Sequence, residues 1–174
     1  MIYENEKIKL EEVSLENIDL LIEWTLDSNA QGKFKIVPKM SYIELKSQFM
    51  DSLDRRYFLI KTKDDKPIGR FYYRKWLFNN DLNKVDWELN IFIAIPELRG
   101  KGYGSAVHRL AIKILESLDE TNTIFAYTMN ENIGERKVLE KCGFDLKGSL
   151  CDEYYKIDLG ELKPDEFVLY SKNN

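Results

Sequence analysis

Cysteine and histidine are scarce in this sequence. Its 174 residues include two cysteines and one histidine, and Cys142 and Cys151 have neither the spacing of a metal site nor that of a redox pair. We therefore expect reduced thiols in a cytoplasmic protein. The single histidine, His108, falls in a predicted helix near charged residues, where we expect it to be solvated. No metal site is predicted.

Long hydrophobic runs are also missing. No segment approaches the roughly 20 consecutive apolar residues of a membrane-spanning helix, and the first ten residues, MIYENEKIKL, lack the apolar core of a signal peptide. Acidic residues outnumber basic ones by 30 to 26, which gives a formal charge of −4. That balance argues against nucleic acid as a partner and is compatible with a cationic substrate. We expect neither a membrane nor a nucleic-acid partner.

Apolar and aromatic residues, by contrast, are plentiful at 44% and 13% of the chain. A chain of this length buries roughly two-thirds of its unfolded surface without disulfides or metals. The sequence has no repeats, linkers or low-complexity tracts. We therefore expect residues 1–174 to form a single domain.

Hydrophobic periodicity predicts an α/β layered domain with helices flanking one central, mixed and mostly antiparallel sheet. The predicted strands cover residues 7–13, 57–62, 67–76, 86–95, 124–129, 144–157 and 166–171. Four helices are predicted. The first begins at a cap at Ser14, and the second runs from a cap at Ser41 to about Asp54. The third runs from a glycine-rich loop to Leu118, and the fourth covers 133–141. The predicted order is β-α-α-β-β-β-α-β-α-β-β.

Strand alternation divides the side chains of each of the two predicted central strands between two faces. In strand 67–76 one face carries Arg70, Tyr72, Arg74 and Trp76. In the next strand one side carries Asp86, Glu88, Asn90 and Phe92, and the other carries Trp87, Leu89 and Ile91.

The strongest local pattern is the segment RGKGYG, residues 99–104, which connects a buried strand to a long amphipathic helix. Glycines let the backbone approach a ligand closely, and the amides that open a helix favour an anion. The segment therefore predicts a phosphate site. A P-loop is excluded because it needs Ser or Thr after Gly100-Lys101, where this chain has Gly102. The dinucleotide fingerprint G-x-G-x-x-G is excluded because its last interval is longer than that between Gly102 and Gly104.

The pattern R-x-x-G-x-G between a strand and a helix is similar to the acetyl-CoA pyrophosphate loop of the GNAT acetyltransferase superfamily. The segment NENIGERKVLEKCGF, residues 130–144, resembles the closing part of the same fold, although Asn132 also reads locally as a helix cap and Gly143 as a helix stop. The nearest branch resembles the ribosomal-protein alanine N-acetyltransferases and their small-molecule relatives. The motifs cover Glu88 to Phe144, and the element order agrees along the whole chain.

The resemblance implies the GNAT acyl-CoA N-acyltransferase fold and acetyl-CoA as co-substrate, with no metal. The backbone near Ile93 would pair with the pantetheine arm as an edge strand pairs with a peptide, and Asn132 would contact the same arm. The implied cofactor-binding residues are Ile93, Ala94, Ile95, Arg99, Gly100, Lys101, Gly102, Tyr103, Gly104, Ser105 and Asn132.

The implied reaction is direct transfer of acetyl from CoA to an amine. Glu88 is the first candidate for the base, and the backbone amide near Ile93 would polarise the thioester carbonyl. Relatives often carry a tyrosine as the acid where this chain has Leu139. Tyr127 is the substitute candidate, either as the acid or as a packing residue. The candidate substrate-binding residues are Asp86, Asn90, Tyr72 and Trp76.

The acceptor stays open between a small cationic amine, such as a polyamine or an aminoglycoside-like compound, and a protein N-terminus or lysine. An alternative is a non-catalytic acyl-CoA-sensing module, which Leu139 favours, and a third is a structural domain whose loop binds nothing. Dimers are common among relatives, so a homodimer is among the expected assemblies.

Overall fold

A computed structural model describes residues 1–34, 38–51, 55–75, 83–149 and 167–173. The strands are β1 (Ile2–Glu4), β2 (Ile8–Glu12), β3 (Arg55–Thr62), β4 (Pro67–Lys75), β5 (Val85–Ile93), β6 (Thr121–Met129), β7 (Asp145–Ser149) and β8 (Phe167–Asn173). The helices are α1 (Ile18–Leu26), α2 (Ser28–Gln31), α3 (Tyr42–Asp51), α4 (Tyr103–Glu116) and α5 (Ile133–Lys141), with a 3₁₀ turn at Pro96–Leu98.

The described strands form one eight-stranded sheet in the order β1-β2-β3-β4-β5-β6-β8-β7. Neighbouring strands are antiparallel except β5 and β6, which run parallel. A parallel neighbour requires a crossover connection, and α4 supplies it. The predicted mixed, mostly antiparallel sheet is confirmed.

The main core lies between one face of this sheet and α4. The apolar positions predicted for the long helix are buried there, as are Trp87 and Leu89 of β5. The helical residues of this core are Ala106, Val107, Leu110, Ala111, Ile112, Ile114 and Leu115. The opposite face carries a smaller cluster that includes Tyr57 and Tyr72, with Leu21 from α1 packed against them.

The structure departs from the predicted elements at several ends. The short strand β1 and the four-residue helix α2 were not predicted, because each is too short for a periodic signal. Ser14 does not cap α1: the cap is Asn17, whose side-chain oxygen accepts a hydrogen bond from the Ser14 amide (2.8 Å). The Ser41 and Glu44 capping box forms as predicted. Trp76, the segment 78–82 and most of the predicted strand 144–157 lie outside the described residues.

The two central strands separate along their length. The β5–β6 register ends at the pair Glu88–Phe125, although β5 continues to Ile93 and β6 to Met129. Beyond that pair a gap opens between them. The Ala94 amide donates to the Ile68 carbonyl on the β4 side (2.9 Å), so strand alternation turns the peptide groups of Ile93 toward the gap.

Gly69 lets β4 and β5 approach closely beside this gap. A Cβ at Gly69 would lie 2.1 Å from the Phe92 carbonyl oxygen. We therefore expect Gly69→Ala to lower the free energy of unfolding by about 1–3 kcal/mol, because the central backbone must shift. Denaturant titration measures the change.

Gly134→Ala in α5 is the matched control, since its new Cβ would meet only Asn132 Oδ1 at 3.8 Å. It should leave stability unchanged or raise it by about 0.5–1 kcal/mol. Equal stabilities for the wild type and Gly69→Ala would contradict the close strand contact.

Candidate functional site

The glycine-rich loop leaves the first amides of α4 without a side-chain cap. Gly100 and Gly102 have φ angles of 72° and 81°, a region that favours glycine. Gly102 is the N-cap of α4, and no side chain caps the helix there. Because the first N–H groups of a helix need acceptors from outside it, the loop geometry fits an anionic group.

Gly104 supports this fit from a second direction. Its φ is ordinary, and no protein atom lies within 4 Å of the position of a Cβ. Glycine in a helix costs up to about 1 kcal/mol relative to alanine, and neither backbone conformation nor packing requires it at this position. The space outside Gly104 is therefore open to a ligand, as expected for a pyrophosphate cradle formed by residues 100–105.

Lys7 is a charged residue of this loop that sequence reasoning missed. Its Nζ donates to the Lys101 carbonyl (2.8 Å) and lies 4.9 Å from the centre of the Tyr103 ring. Asn5, in the same turn between β1 and β2, donates to the Ala106 carbonyl (3.0 Å). These contacts fix the loop and place an ammonium group beside it. No local motif marks Lys7, because its partners lie about a hundred residues away along the chain.

The Arg99 guanidinium turns away from the loop and binds main-chain carbonyls. Its Nε donates to Ile93 (3.0 Å), and its NH2 group contacts the carbonyl of Ala30 in α2. A Cβ at Gly32 would lie 2.7 Å from the same guanidinium. Arg99 therefore ties the end of β5 to the α2 segment, and its side chain is engaged by the protein.

The three predicted pantetheine-pairing residues differ in what they offer. The Ala94 amide is used within the sheet by Ile68, and the Ile95 carbonyl accepts from the Leu98 amide (3.1 Å). The Ile93 carbonyl accepts from Arg99. Its amide faces the gap, so Ile93 is the member of the trio best placed to donate into it.

Asn132 caps α5, as its local sequence predicts. Its Oδ1 accepts from the Glu135 amide (3.3 Å), and its Nδ2 donates to the Thr128 hydroxyl (3.0 Å). Gly143, the predicted stop, has a φ of 85° after the helix. Contact between Asn132 and a pantetheine arm stays a prediction.

The prediction that His108 is solvated is wrong. Its side chain is fully buried between α4 and α5. Its Nδ1 lies 2.9 Å from the Gly104 carbonyl oxygen, and its Nε2 lies 3.1 Å from Glu135 Oε1 at an angle unfavourable for a hydrogen bond. The error arose because residue 108 lies one turn after Gly104, on the side of α4 that meets α5.

Glu88, the predicted base, is fully buried and both of its carboxylate oxygens are occupied. Oε2 accepts from Arg74 Nε (2.7 Å) and pairs with Arg74 NH2 (2.6 Å). Oε1 accepts from the Tyr72 hydroxyl (3.1 Å). A substrate therefore has no direct path to the carboxylate in this arrangement, and Tyr72 is the group through which a proton could reach it.

Tyr72 lies at the centre of this polar cluster. The guanidinium groups of Arg55 and Arg70 lie 5.7 and 5.2 Å from the centre of its ring. Burial, followed by the charge of Glu88, raises the pKa of the Tyr72 phenol well above its usual value. Tyr72 therefore stays a neutral donor throughout the neutral pH range.

Tyr127, the substitute acid, packs against β8. Its ring is nearly perpendicular to that of Phe167 with 6.0 Å between ring centres, and it belongs to a small apolar cluster with Leu169. Burial and then the Glu88 charge raise its pKa. A raised pKa makes proton donation to a thiolate less favourable, which favours the packing interpretation. Leu139 is fully buried in the main core.

The predicted substrate-binding residues do not all lie at the gap. Asp86 Oδ1 accepts from Asn122 Nδ2 (2.9 Å) and from the Thr123 amide (3.1 Å), where β5 and β6 are still paired. Asn90 Oδ1 accepts from Arg70 NH1 at 3.4 Å, level with Tyr72 on β4. The structure therefore brings Asn90 and Tyr72 together and leaves Asp86 at the closed end.

Neither a metal cluster nor a membrane-spanning helix is found in the described ranges. No group of three or more His, Cys, Asp or Glu among those residues is arranged to hold a metal ion. No helix in the described part of the chain is long and apolar enough to cross a membrane.

The family follows from the match of residues 7–145 to the family model described as "Acetyltransferase (GNAT) domain". Because that match covers most of the 174 residues, the chain belongs to the GNAT acetyltransferase family. It is thus an enzyme of the acetyltransferase class. No curated protein matches the sequence.

Solved structures of N-acetyltransferases share the fold at low identity. Spermidine N-acetyltransferase from Vibrio cholerae, in complex with CoA and spermine, is 18% identical with a TM-score of 0.76, covering 97% of this chain and 96% of that chain. Aminoglycoside acetyltransferase AAC(6')-Ib with coenzyme A and kanamycin is 16% identical with a TM-score of 0.76 over 95% and 94% of the two chains. The AAC(6')-Ib complex with paromomycin and acetyl-CoA is 15% identical with a TM-score of 0.79 over 97% and 94%.

These likenesses confirm the predicted GNAT fold. The narrower resemblance to ribosomal-protein alanine N-acetyltransferases is not confirmed by them.

The loop geometry generates a prediction at Gly104. We expect Gly104→Ala to weaken CoA binding at least about tenfold, because the added methyl group occupies the space above the helix start. Stability should stay equal or rise by up to about 1 kcal/mol, since alanine is the better helix former. Calorimetric titration with CoA and thermal melting measure the two effects. Lys113→Ala, on the exposed side of α4, is the control, and unchanged CoA affinity in Gly104→Ala would refute the assignment.

Proposed function

We propose that this chain transfers acetyl from acetyl-CoA directly to a primary amine. The observation that carries the proposal is the gap between β5 and β6 beyond Glu88 and Phe125, with the uncapped start of α4 beside it. A strand edge facing the gap can bind an extended amide-containing chain, and a helix start can bind phosphate.

Acetyl-CoA supplies an activated thioester when bound. The amides of residues 100–105 would hold its pyrophosphate, with Lys7 adding positive charge at the same loop. The Ile93 amide would donate to the carbonyl oxygen on which negative charge develops. Arg99 would act indirectly, by fixing the end of β5 in place.

The amine must lose a proton as it attacks. Tyr72 would accept that proton on its hydroxyl oxygen while passing its own to Glu88 Oε1, which is 3.1 Å away. Glu88 would thus remain the base, acting through Tyr72, and Arg74 would hold its carboxylate in place. The raised pKa of Tyr127 argues against Tyr127 as the acid, so the thiolate would take its proton from water.

The proposed class of acceptor, a primary amine, is supported by the ligands of structural neighbours. The spermine and kanamycin bound in two structural neighbours carry primary amines, which supports a small amine. A protein N-terminus, as in the ribosomal-protein branch, is the second candidate. A cytoplasmic location, a single domain over residues 1–174 and a homodimer remain predictions from the sequence and its resemblance.

A non-catalytic acyl-CoA-sensing module is the alternative function. Two observations favour it: Leu139 stands at the usual acid position, and both oxygens of Glu88 are occupied. This alternative predicts CoA binding without turnover.

The first test follows release of free CoA thiol from acetyl-CoA with a panel of polyamines, aminoglycosides, amino acids and N-terminal peptides. We expect turnover on one amine class, together with a rise in melting temperature on adding CoA. CoA binding with a silent panel would favour the sensing module. Absence of CoA binding would refute both proposals.

Tyr72→Phe tests the proposed proton path more directly than a substitution of Glu88. Glu88→Gln would leave Arg74 buried without its counter-charge, which typically destabilises a protein by about 3–5 kcal/mol, so lost activity would be ambiguous. Tyr72→Phe keeps the ring and removes only the hydroxyl. We expect its kcat to fall about 10²-fold or more with CoA affinity unchanged.

Tyr57→Phe is the matched control for this measurement. Tyr57 packs on Tyr72 with 5.3 Å between ring centres. Among the described residues, the tyrosine that donates to Glu88 is Tyr72 and not Tyr57. A Tyr72→Phe variant with wild-type kcat would rule out the relay.

A further inference from the structure

Arg70 is a partly buried cation that the proposed reaction does not use. It lies on β4 opposite Phe92 of β5, one residue before Ile93 and the open gap. Its guanidinium lies 5.2 Å from the Tyr72 ring centre and 5.6 Å from that of Phe92. Arg70 therefore sits against two aromatic rings beside the position proposed for acetyl transfer.

The hydrogen-bonding capacity of Arg70 is largely unfilled by the described residues. Its NH1 has one long contact, 3.4 Å to Asn90 Oδ1. Its Nε is buried and has no hydrogen-bond partner among the residues that the structure describes. Within those ranges no carboxylate forms an ion pair with it. Since a buried donor such as this Nε is normally satisfied, Arg70 is suited to bind an acceptor group from a ligand.

Two nearby arginines have carboxylate partners. Arg74 pairs with Glu88 (2.6 Å), and Arg56 of β3 pairs with Glu12 of β2 (2.6 Å). We name Arg70, Tyr72, Arg74, Glu88 and Asn90 the Tyr72 cluster. In this cluster one carboxylate faces two guanidinium groups, so the cluster carries a net positive charge.

That charge disfavours a polyamine acceptor. A second ammonium group near Arg70 would be repelled, and Glu88 is already neutralised by Arg74. A carboxylate or phosphate, by contrast, would match the planar fork of a guanidinium with two parallel hydrogen bonds.

We propose that the acceptor is a small primary amine that also carries an acidic group, and that Arg70 binds this group through its guanidinium. This inference rests on the proposed function, and it narrows the acceptor to amino-acid-like or amino-phosphate-like compounds. Arg70 would act as a specificity-determining residue: it would hold the acidic end while Tyr72 receives the amine proton.

The test uses amines of matched length that differ in the second group: 5-aminopentanoate, 1,5-diaminopentane and pentylamine, with 4-aminobutylphosphonate as the phosphate-like member. Initial rates with acetyl-CoA give kcat/KM for each compound. Calorimetric binding of the same compounds to the CoA-loaded protein gives a second readout that does not need turnover.

We expect the two acidic amines to bind and react best and the diamine worst. Arg70→Gln should lower kcat/KM and affinity for the acidic amines roughly 10- to 100-fold, mainly through KM, and change pentylamine less than about threefold. Arg70→Lys should recover part of the preference. Arg56→Gln, which removes a paired arginine from β3, is the matched control, and melting temperatures confirm that each variant is folded.

The outcomes separate this inference from the proposed function. An Arg70-dependent preference for acidic amines in binding, with no turnover on any amine, would support the inference and refute the acetyltransferase reaction. Two results would overturn the inference and leave amine acetylation standing. One is turnover that favours the diamine; the other is turnover in which Arg70→Gln does not change the relative rates of acidic and neutral amines. Comparison of 5-aminopentanoate with 4-aminobutylphosphonate shows whether Arg70 prefers a carboxylate or a phosphate-like group.

Discussion

The separation of β5 from β6 is the constraint on which the rest of the site depends. Sheet hydrogen bonds normally continue as long as two strands run side by side, yet here the register stops at Glu88 and Phe125 while both strands continue. The unpaired edge must find other partners. Because α4 follows β5 and α5 follows β6, the same separation places two helix starts beside the gap, and this brings strand-edge donors and helix-start donors to one place.

The acceptor side of the sheet is organised by charge burial. Glu88 lies in the interior paired with Arg74, and its other carboxylate oxygen accepts from the Tyr72 hydroxyl. Removing one member of such a group exposes the others to an uncompensated desolvation penalty. The cluster therefore couples stability to the proposed chemistry, whereas the proposed cofactor side would rely mostly on backbone groups, so that its glycines matter more than its larger side chains.

Much of this arrangement could be predicted from local sequence patterns. The RGKGYG segment predicted a strand, loop and helix at the right residues, and alternation grouped Tyr72 with Arg74 on one strand and Glu88 with Asn90 on the next; the β4–β5 register then brings the two groups to one face. Long-range contacts could not be predicted in this way. Lys7 reaches the loop from the other end of the chain, the inward turn of Arg99 depends on carbonyls in α2, and the burial of His108 depends on how α5 packs. Asp86 shares a face with Glu88 but lies where β5 and β6 are still paired. Alternation predicts the face of a side chain, and it does not predict where along the strands the pairing ends.

The buried His108 has a consequence for how the cofactor region is built. Through Gly104 it contacts the start of α4, and through Glu135 the start of α5, so it links the two helices on either side of the parted strands. A fully buried side chain that contacts both helix starts orders these two segments within the folded core. The entropy of ordering these segments is then lost during folding, and an incoming nucleotide would meet a preorganised cleft, which favours tighter binding for the same set of contacts.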